Sequence, residues 1–404
     1  MIVKPLFQGF SEKTYHLILS SMVVIMYILV CAEADIYVPA FPQMIKYFAV
    51  AENEIQLVLS VNFIGLCLAG LVAGPLSDSF GRRKVILAGL ALLMVSSIVL
   101  VTLDDFKLLL FWRFIQGIAA AVPMVCAGAM FFDRYTGEKA SQLIGFVNAV
   151  ITAAMAAAPV VGAYISEAFD WRANFIAVML LSILAFAGFL AFIEESLPAK
   201  LKRKFNLLSI VKDYGIVLKN ATFIAYVMIA CFPFITIIVY ITNLSVILVN
   251  HLGVDLASYS YYQATTMGSF MVFSFYSVKL IAKKGVDFTK NLGAVISIIG
   301  VAGLFSISML DHTSVMLICA SMAVLAAGGS MMAGTFGMKA LTLFPEMNGT
   351  ALAACTAIRL LLIFVFVSLS EVYFDGTIMP IALIITGYTI FAGLFYSWIS
   401  FKKI

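Results

Sequence analysis

The chain has 404 residues, 63% of them apolar and only 11% charged, with a mean hydropathy of +1.08. Soluble domains carry about 45–50% apolar and about 25% charged residues, so most of this chain must be solvated by lipid. That excludes a soluble enzyme, a disordered chain and a disulfide scaffold, and a net charge of +4, small and dispersed, gives nucleic acid no basic face to bind.

Apolar runs long enough to cross a bilayer as helices are expected at 15–40, 55–75, 85–103, 108–131, 140–165, 173–193, 221–249, 258–281, 291–310, 314–337, 350–372 and 378–399. Helices are expected because backbone polar groups need partners in lipid, and the polar/apolar alternation of barrel strands is missing. The fold class predicted is an all-α polytopic membrane protein of twelve spans. The run from Leu17 reads as a retained first span, not a cleaved leader. A polar stretch from Glu194 to Asn220 divides the spans six and six, giving halves at 1–193 and 221–404 joined by a linker at 194–220. Within that linker Leu207, Leu208, Ile210, Val211 and Tyr214 recur near helical spacing, which suits either a short surface helix or a solvated connection.

Eighteen lysines and arginines fall in the two tails and in the connections after even-numbered spans, against three, Lys46, Lys107 and Arg172, on the other side. The positive-inside rule then places both termini in the cytoplasm. The six cysteines, Cys31, Cys67, Cys126, Cys231, Cys319 and Cys355, stand singly in apolar stretches without a CxxC pair, so no metal site is expected. His16, His251 and His312 are scattered, which leaves no cluster for an enzyme's acid–base chemistry. No phosphate-binding GxxxxGK[ST] loop occurs, so transport powered by this chain's own ATP hydrolysis is excluded, and no cofactor is expected.

Several strings carry chemistry. Span 1 ends in Glu33-Ala34-Asp35-Ile36-Tyr37-Val38-Pro39-Ala40-Phe41-Pro42. Asp35 lies about 9 Å below the end of that span if the helix runs to Phe41, and Arg113 lies at a similar depth, about 8 Å, in span 4. An acid and a base at one level can share a water-filled cavity and compete for a proton. Glu33 sits about 200° around the helix from the Asp35 position; it reads as a second cavity acid or, somewhat better, as a snorkelling interface residue. The connection after span 2 reads Gly74-Pro75-Leu76-Ser77-Asp78-Ser79-Phe80-Gly81-Arg82-Arg83-Lys84; its glycines allow a tight turn and close helix approach, and its mixed charges suit an ionic latch. Span 4 carries Arg113-Phe114-Ile115-Gln116-Gly117, and an arginine inside a span needs a partner or water. Span 5 carries Ala158-Pro159-Val160-Val161-Gly162-Ala163, small residues for close packing around a helix-bending proline. Arg359, near the middle of span 11, attracts anionic groups if it faces a cavity, or pairs with an acid such as Glu371 or Asp35.

The connection after span 2 resembles the loop signature of the major facilitator superfamily, and Arg113-Phe114-Ile115-Gln116-Gly117 resembles its RxxqG pattern. The span 5 string is similar to the family's antiporter motif with alanine at two glycine positions, Trp171-Arg172-Ala173-Asn174-Phe175 to the WRxxF opening span 6, and Asp35-Ile36-Tyr37-Val38-Pro39-Ala40-Phe41-Pro42 to the bicyclomycin/chloramphenicol-resistance branch of drug:proton antiporters. The resemblance covers spans 1 to 6 well and the second half loosely. It implies proton-coupled multidrug efflux by alternating access, with an anionic metabolite or siderophore as the alternative cargo. Asp35, Arg113 and Glu33 would couple protons; Arg359, Tyr37 and Gln116 would line the substrate cavity; Gly74, Asp78, Gly81, Arg82 and an acid ending span 4, Asp133, would form the latch; Pro159 and Gly162 would shape the antiporter-like span. The partners implied are a small amphipathic substrate, protons and the bilayer, with the chain a monomer in a bacterial inner membrane.

Overall fold

The computed structural model describes residues 7, 11–134, 137–197, 206–309, 314–344 and 347–401, and within these the side chains of 131–149, 152, 207, 209, 256, 257, 260, 348 and 349 are outside the description. All the regular structure among the described residues is helical: α1 Glu12–Asp35, α2 Phe41–Phe48, α3 Leu57–Phe80, α4 Arg82–Thr102, α5 Phe106–Arg134, α6 Gly137–Ala168, α7 Trp171–Phe192, α8 Leu207–Leu218, α9 Ala221–Ser245, α10 Leu256–Lys284, α11 Val286–Met309, α12 Val315–Thr342, α13 Asn348–Val372 and α14 Met379–Phe401. Apart from the short α2 and α8, each has at least 21 residues, about 31 Å of helix and enough to cross a hydrocarbon core of about 30 Å. They coincide with the twelve expected runs. By length and hydropathy alone, ten spans qualify among the described residues.

The expected first span is corrected at its end. Helix α1 stops at Asp35, followed by a 3-10 turn at Val38–Ala40 and then α2. Pro39 has no N–H to return to the Asp35 carbonyl, and it disfavours helical backbone at Val38. The depth assigned to Asp35 from a helix running to Phe41 therefore does not hold. The connection expected between spans 2 and 3 is also shorter: α3 runs to Phe80, and Gly81 alone separates it from α4, at φ 103°, a conformation only glycine adopts readily.

The chain forms two compact units. Unit 1 comprises residues 1–37 and 61–210, and unit 2 comprises 38–60 and 211–404. Residues 38–60, placed by sequence in the first half, thus pack with the second unit, and the division near the linker falls inside α8. In unit 1, α1 packs against α5, α6 and α7, while α4 packs against α5 and α7. In unit 2, α9 is the central helix, packed on α12, α13 and α14 and buried along most of its length. Helix α8 fits the surface-helix reading of the linker: Leu208 and Val211 are exposed, whereas Val217 is buried.

A ring of neutral side chains ties 38–60 into unit 2. Gln56 donates to Asn243 Oδ1 at 2.7 Å, Asn243 donates to Ser370 at 3.0 Å, and the Ser370 hydroxyl lies 3.2 Å from Gln56 Oε1. All three residues are fully buried, so each group depends on the others for its hydrogen bonds. Nearer the surface, Glu52 meets His251 at 2.7 Å and accepts from Asn250 at 2.8 Å.

Candidate proton-coupling site

The polar centre of unit 1 lies where α1, α3, α4 and α5 converge. Arg113, in the third turn of α5, is fully buried and donates to Glu33 Oε1 at 2.8 Å and to the Tyr37 hydroxyl at 2.6 Å, with a further hydrogen bond to Gln116. Its guanidinium lies 4.3 Å from the centre of the Tyr37 ring, adding a cation–π contact. Tyr37 in turn stacks on Phe175 at 5.3 Å, and Phe175 meets the edge of Trp171. The Trp171-to-Phe175 string therefore backs the arginine site.

Two residues not singled out in the sequence complete the set. Asn62, on α3, donates to Glu33 Oε1 at 2.7 Å and to the Arg113 carbonyl at 3.2 Å. Ser97, on α4, accepts from Gln116 at 2.8 Å. The only signal for either was a polar side chain within an apolar run. Their reach depends on tight backbone packing: a Cβ added at Gly117 would overlap the Asn62 carbonyl oxygen and come within 3.1 Å of its side-chain nitrogen.

The acid that meets Arg113 is not the one its depth suggested. Glu33, favoured as a snorkelling residue, is fully buried and forms the ion pair with Arg113. Asp35 is also buried and lies within electrostatic reach of both, but has neither an ion pair nor a side-chain hydrogen bond among the described residues. Both acids belong to α1, whose last residue is Asp35, so the offset of about 200° holds between them, and it is Glu33 that points to Arg113. Among the described residues, one carboxylate is thus held by a cation, while the other, two residues away, is not. Glu33 Oε2 also accepts no hydrogen bond among the described residues.

Helix α6 meets α1 beside this centre. Pro159 is buried within α6, and a Cβ at Gly162 would overlap the Ile36 carbonyl oxygen, with the Ile36 side chain at 3.1 Å. Gly162→Val is therefore expected to force α6 off α1, costing about 1–3 kcal/mol or more and lowering the melting temperature in detergent. An unchanged melting temperature would mean that α6 packs elsewhere.

The charged junction of α3 and α4 is a second cluster. Asp78 pairs with Arg82 at 2.6 Å, Arg82 also donates to Ser77 at 2.5 Å, and the Arg82 backbone N–H donates to Glu195 at 2.9 Å. Arg83 is buried and donates to the carbonyls of Ile193 and Leu190, at 2.5 and 2.8 Å, at the end of α7. Glu195 is a member the sequence did not bring together with Asp78. Gly74 is not required sterically, since a Cβ there would sit at an ordinary 3.8 Å from Val125. The Asp133 side chain lies outside the described residues.

Arg359 occupies unit 2. Its guanidinium lies 4.6 Å from the centre of the Phe234 ring; of the two alternatives, the ion pair with an acid such as Glu371 or Asp35 is not found among the described residues, and Glu371 lies in the electrostatic field of Glu54.

A buried ion pair inside a bundle of long apolar helices fits a membrane transporter, and the comparisons place the chain. Residues 23–367 match the Major Facilitator Superfamily, and the chain belongs to that family. It is 24% identical to the bicyclomycin resistance protein homolog of Haemophilus influenzae over 80% of this chain and 81% of that protein. It is 26% identical to the multidrug resistance protein MdtL of Shigella flexneri, over 60% of this chain and 61% of that protein. Among solved structures it superposes on the xylose transporter XylE from E. coli with a TM-score of 0.70, at 15% identity, covering 95% of this chain and 97% of XylE. The nucleoside transporter NupG gives a TM-score of 0.72 at 14% identity, covering 94% and 99%. These two likenesses concern the fold. The protein is a multi-pass membrane transporter, not an enzyme.

Proposed function

We propose that this transporter exports small amphipathic compounds in exchange for protons, by alternating access, as a monomer in a bacterial inner membrane with both termini in the cytoplasm. The observation that carries the reading is the pair of acids at the end of α1, Glu33 bound to Arg113 and Asp35 without a partner among the described residues. A buried charge without a donor is costly, and a proton removes it. Asp35 is then the group that loads and releases the proton. Glu33, Asn62 and Gln116 hold the arginine whose field Asp35 senses. The resistance-protein relatives support a drug-like cargo, and the small residues of α6 around Pro159 support antiport. The Asp78–Arg82 pair, with Asp133, serves as the cytoplasmic latch of a six-plus-six arrangement whose halves are 1–193 and 221–404, joined by 194–220.

The test is proton movement in liposomes containing the purified protein and a pH-sensitive dye, with a panel of cationic, neutral and anionic amphipaths added to one side. Members of the panel should drive protein-dependent proton flux against a preset gradient. No flux with any compound, from protein shown to be folded, would overturn the reading.

A further inference from the structure

Among the described residues, Arg359 is the cation at the middle of a span that the coupling site leaves unused. It is the twelfth residue of α13, about 17 Å from that helix's start, where a guanidinium facing hydrocarbon would be strongly disfavoured. No carboxylate pairs with it and none of its side-chain donors has an acceptor among the described residues. Glu371, on the same helix, lies twelve residues further on, about 18 Å away.

Its surroundings are aromatic and orderly. The guanidinium stacks on Phe234 of α9, and Phe234 meets Phe270 of α10 with ring centres 5.8 Å apart. Helix α9 and its continuation are buried from Ile229 to Leu248 except at two positions, Ala230 and Phe234. Those positions are one turn apart on one face, so the accessible surface of this central helix in its middle is confined to the stretch beside the arginine. Arg359 itself is half-buried. A planar cation is thus held by one ring face, with its N–H edge available, beside a small accessible patch walled by two phenylalanines.

A guanidinium's donors match the two oxygens of a carboxylate, and the same charge repels cations. We propose that Arg359 is the specificity-determining residue of the substrate site: with Phe234 and Phe270 it selects compounds that carry a carboxylate on an aromatic or aliphatic body over their neutral and cationic counterparts. The proposal rests on the export reading above and narrows its substrate class.

The test is binding, measured without a proton gradient, by calorimetry on purified protein in a neutral detergent. The probes are a naphthalene carboxylate, the corresponding primary amide and a lipophilic quaternary ammonium ion. Wild type should bind the carboxylate in preference to the other two. Arg359→Gln should weaken the carboxylate on the order of ten- to hundredfold while leaving the amide unchanged, and Arg359→Lys should recover part of the loss. Phe234→Leu should weaken carboxylate and amide alike by removing the shared ring contact. Melting temperatures of the variants identify loss through unfolding. Failure of wild type to bind the carboxylate at millimolar concentration, or to prefer it over the amide, would overturn the proposal. Equal loss of both compounds in Arg359→Gln with a lowered melting temperature would make the arginine structural and overturn it too. Carboxylate preference retained without any coupled proton flux would overturn the export reading and leave this one standing; coupled flux retained without the preference would do the reverse.

Discussion

Replacing Arg113 by alanine is expected to destabilise unit 1 by about 3–5 kcal/mol, the usual cost of removing one member of a buried ion pair. The reason is what the change leaves behind. Glu33 would be left without its cation in a fully buried site, with Asn62 as its remaining donor, and Gln116 and the Tyr37 hydroxyl would each lose a hydrogen bond. Against a total stability of about 5–15 kcal/mol for a domain, that loss is large. The melting temperature in detergent should fall well below that of wild type, with less folded protein recovered from the membrane. Replacing both members by leucine separates structure from function, since a buried pair exchanged for apolar side chains of similar volume is often neutral or stabilising. The double variant should therefore melt near the wild type while failing to couple transport to protons. A wild-type melting temperature for Arg113→Ala would show that the pair does not hold the unit together.

The spans were legible because a membrane helix is written in composition: long apolar runs appear wherever a helix crosses, and α3 to α7 and α9 to α14 lie where those runs lie. The division of the chain was less so. Residues 38–60 hold the end of the expected first span, the connection after it and the start of the second, and nothing in their composition says that Gln56 finishes a hydrogen-bond ring with Asn243 and Ser370, far along the chain. Arg113, Tyr37 and Gln116 were identifiable because a charge or hydrogen-bonding group within a span must be answered by another group. Which acid answers was not, because depth was counted along a helix assumed to reach Phe41, while Pro39 ends it at Asp35. The same limit hid Glu195. It follows α7 in sequence, yet accepts from the first residue of α4, a meeting that depends on how helices pack and not on any local spacing. Arg359 is the opposite case: its place inside a long apolar run is plain in the sequence, and only the structure supplied Phe234 as its neighbour.

Asp35→Asn is expected to abolish uphill export while leaving the protein folded and able to bind its substrates. The side chain takes part in no ion pair or hydrogen bond among the described residues, so the amide removes a charge without orphaning a donor, and its structural cost should be small beside that of Arg113→Ala. What it removes is the capacity to take up a proton. An exporter that moves one proton against one substrate loses its driving force when that site is neutral in every state, since both conformations then bear the same charge whatever the pH on either side. Substrate should still equilibrate down its own gradient, and the rate of that movement should lose its dependence on external pH. Glu33→Gln distinguishes the two acids: it frees Arg113 from its ion-pair partner, so it should lower the melting temperature as Asp35→Asn does not. The measurement is accumulation of a fluorescent substrate in vesicles with and without a pH gradient, beside melting temperatures of both variants. If Asp35→Asn still accumulates substrate against its gradient at the wild-type rate while Glu33→Gln folds normally and does not, the proton travels on Glu33, and the ion pair with Arg113 is broken and remade in each cycle.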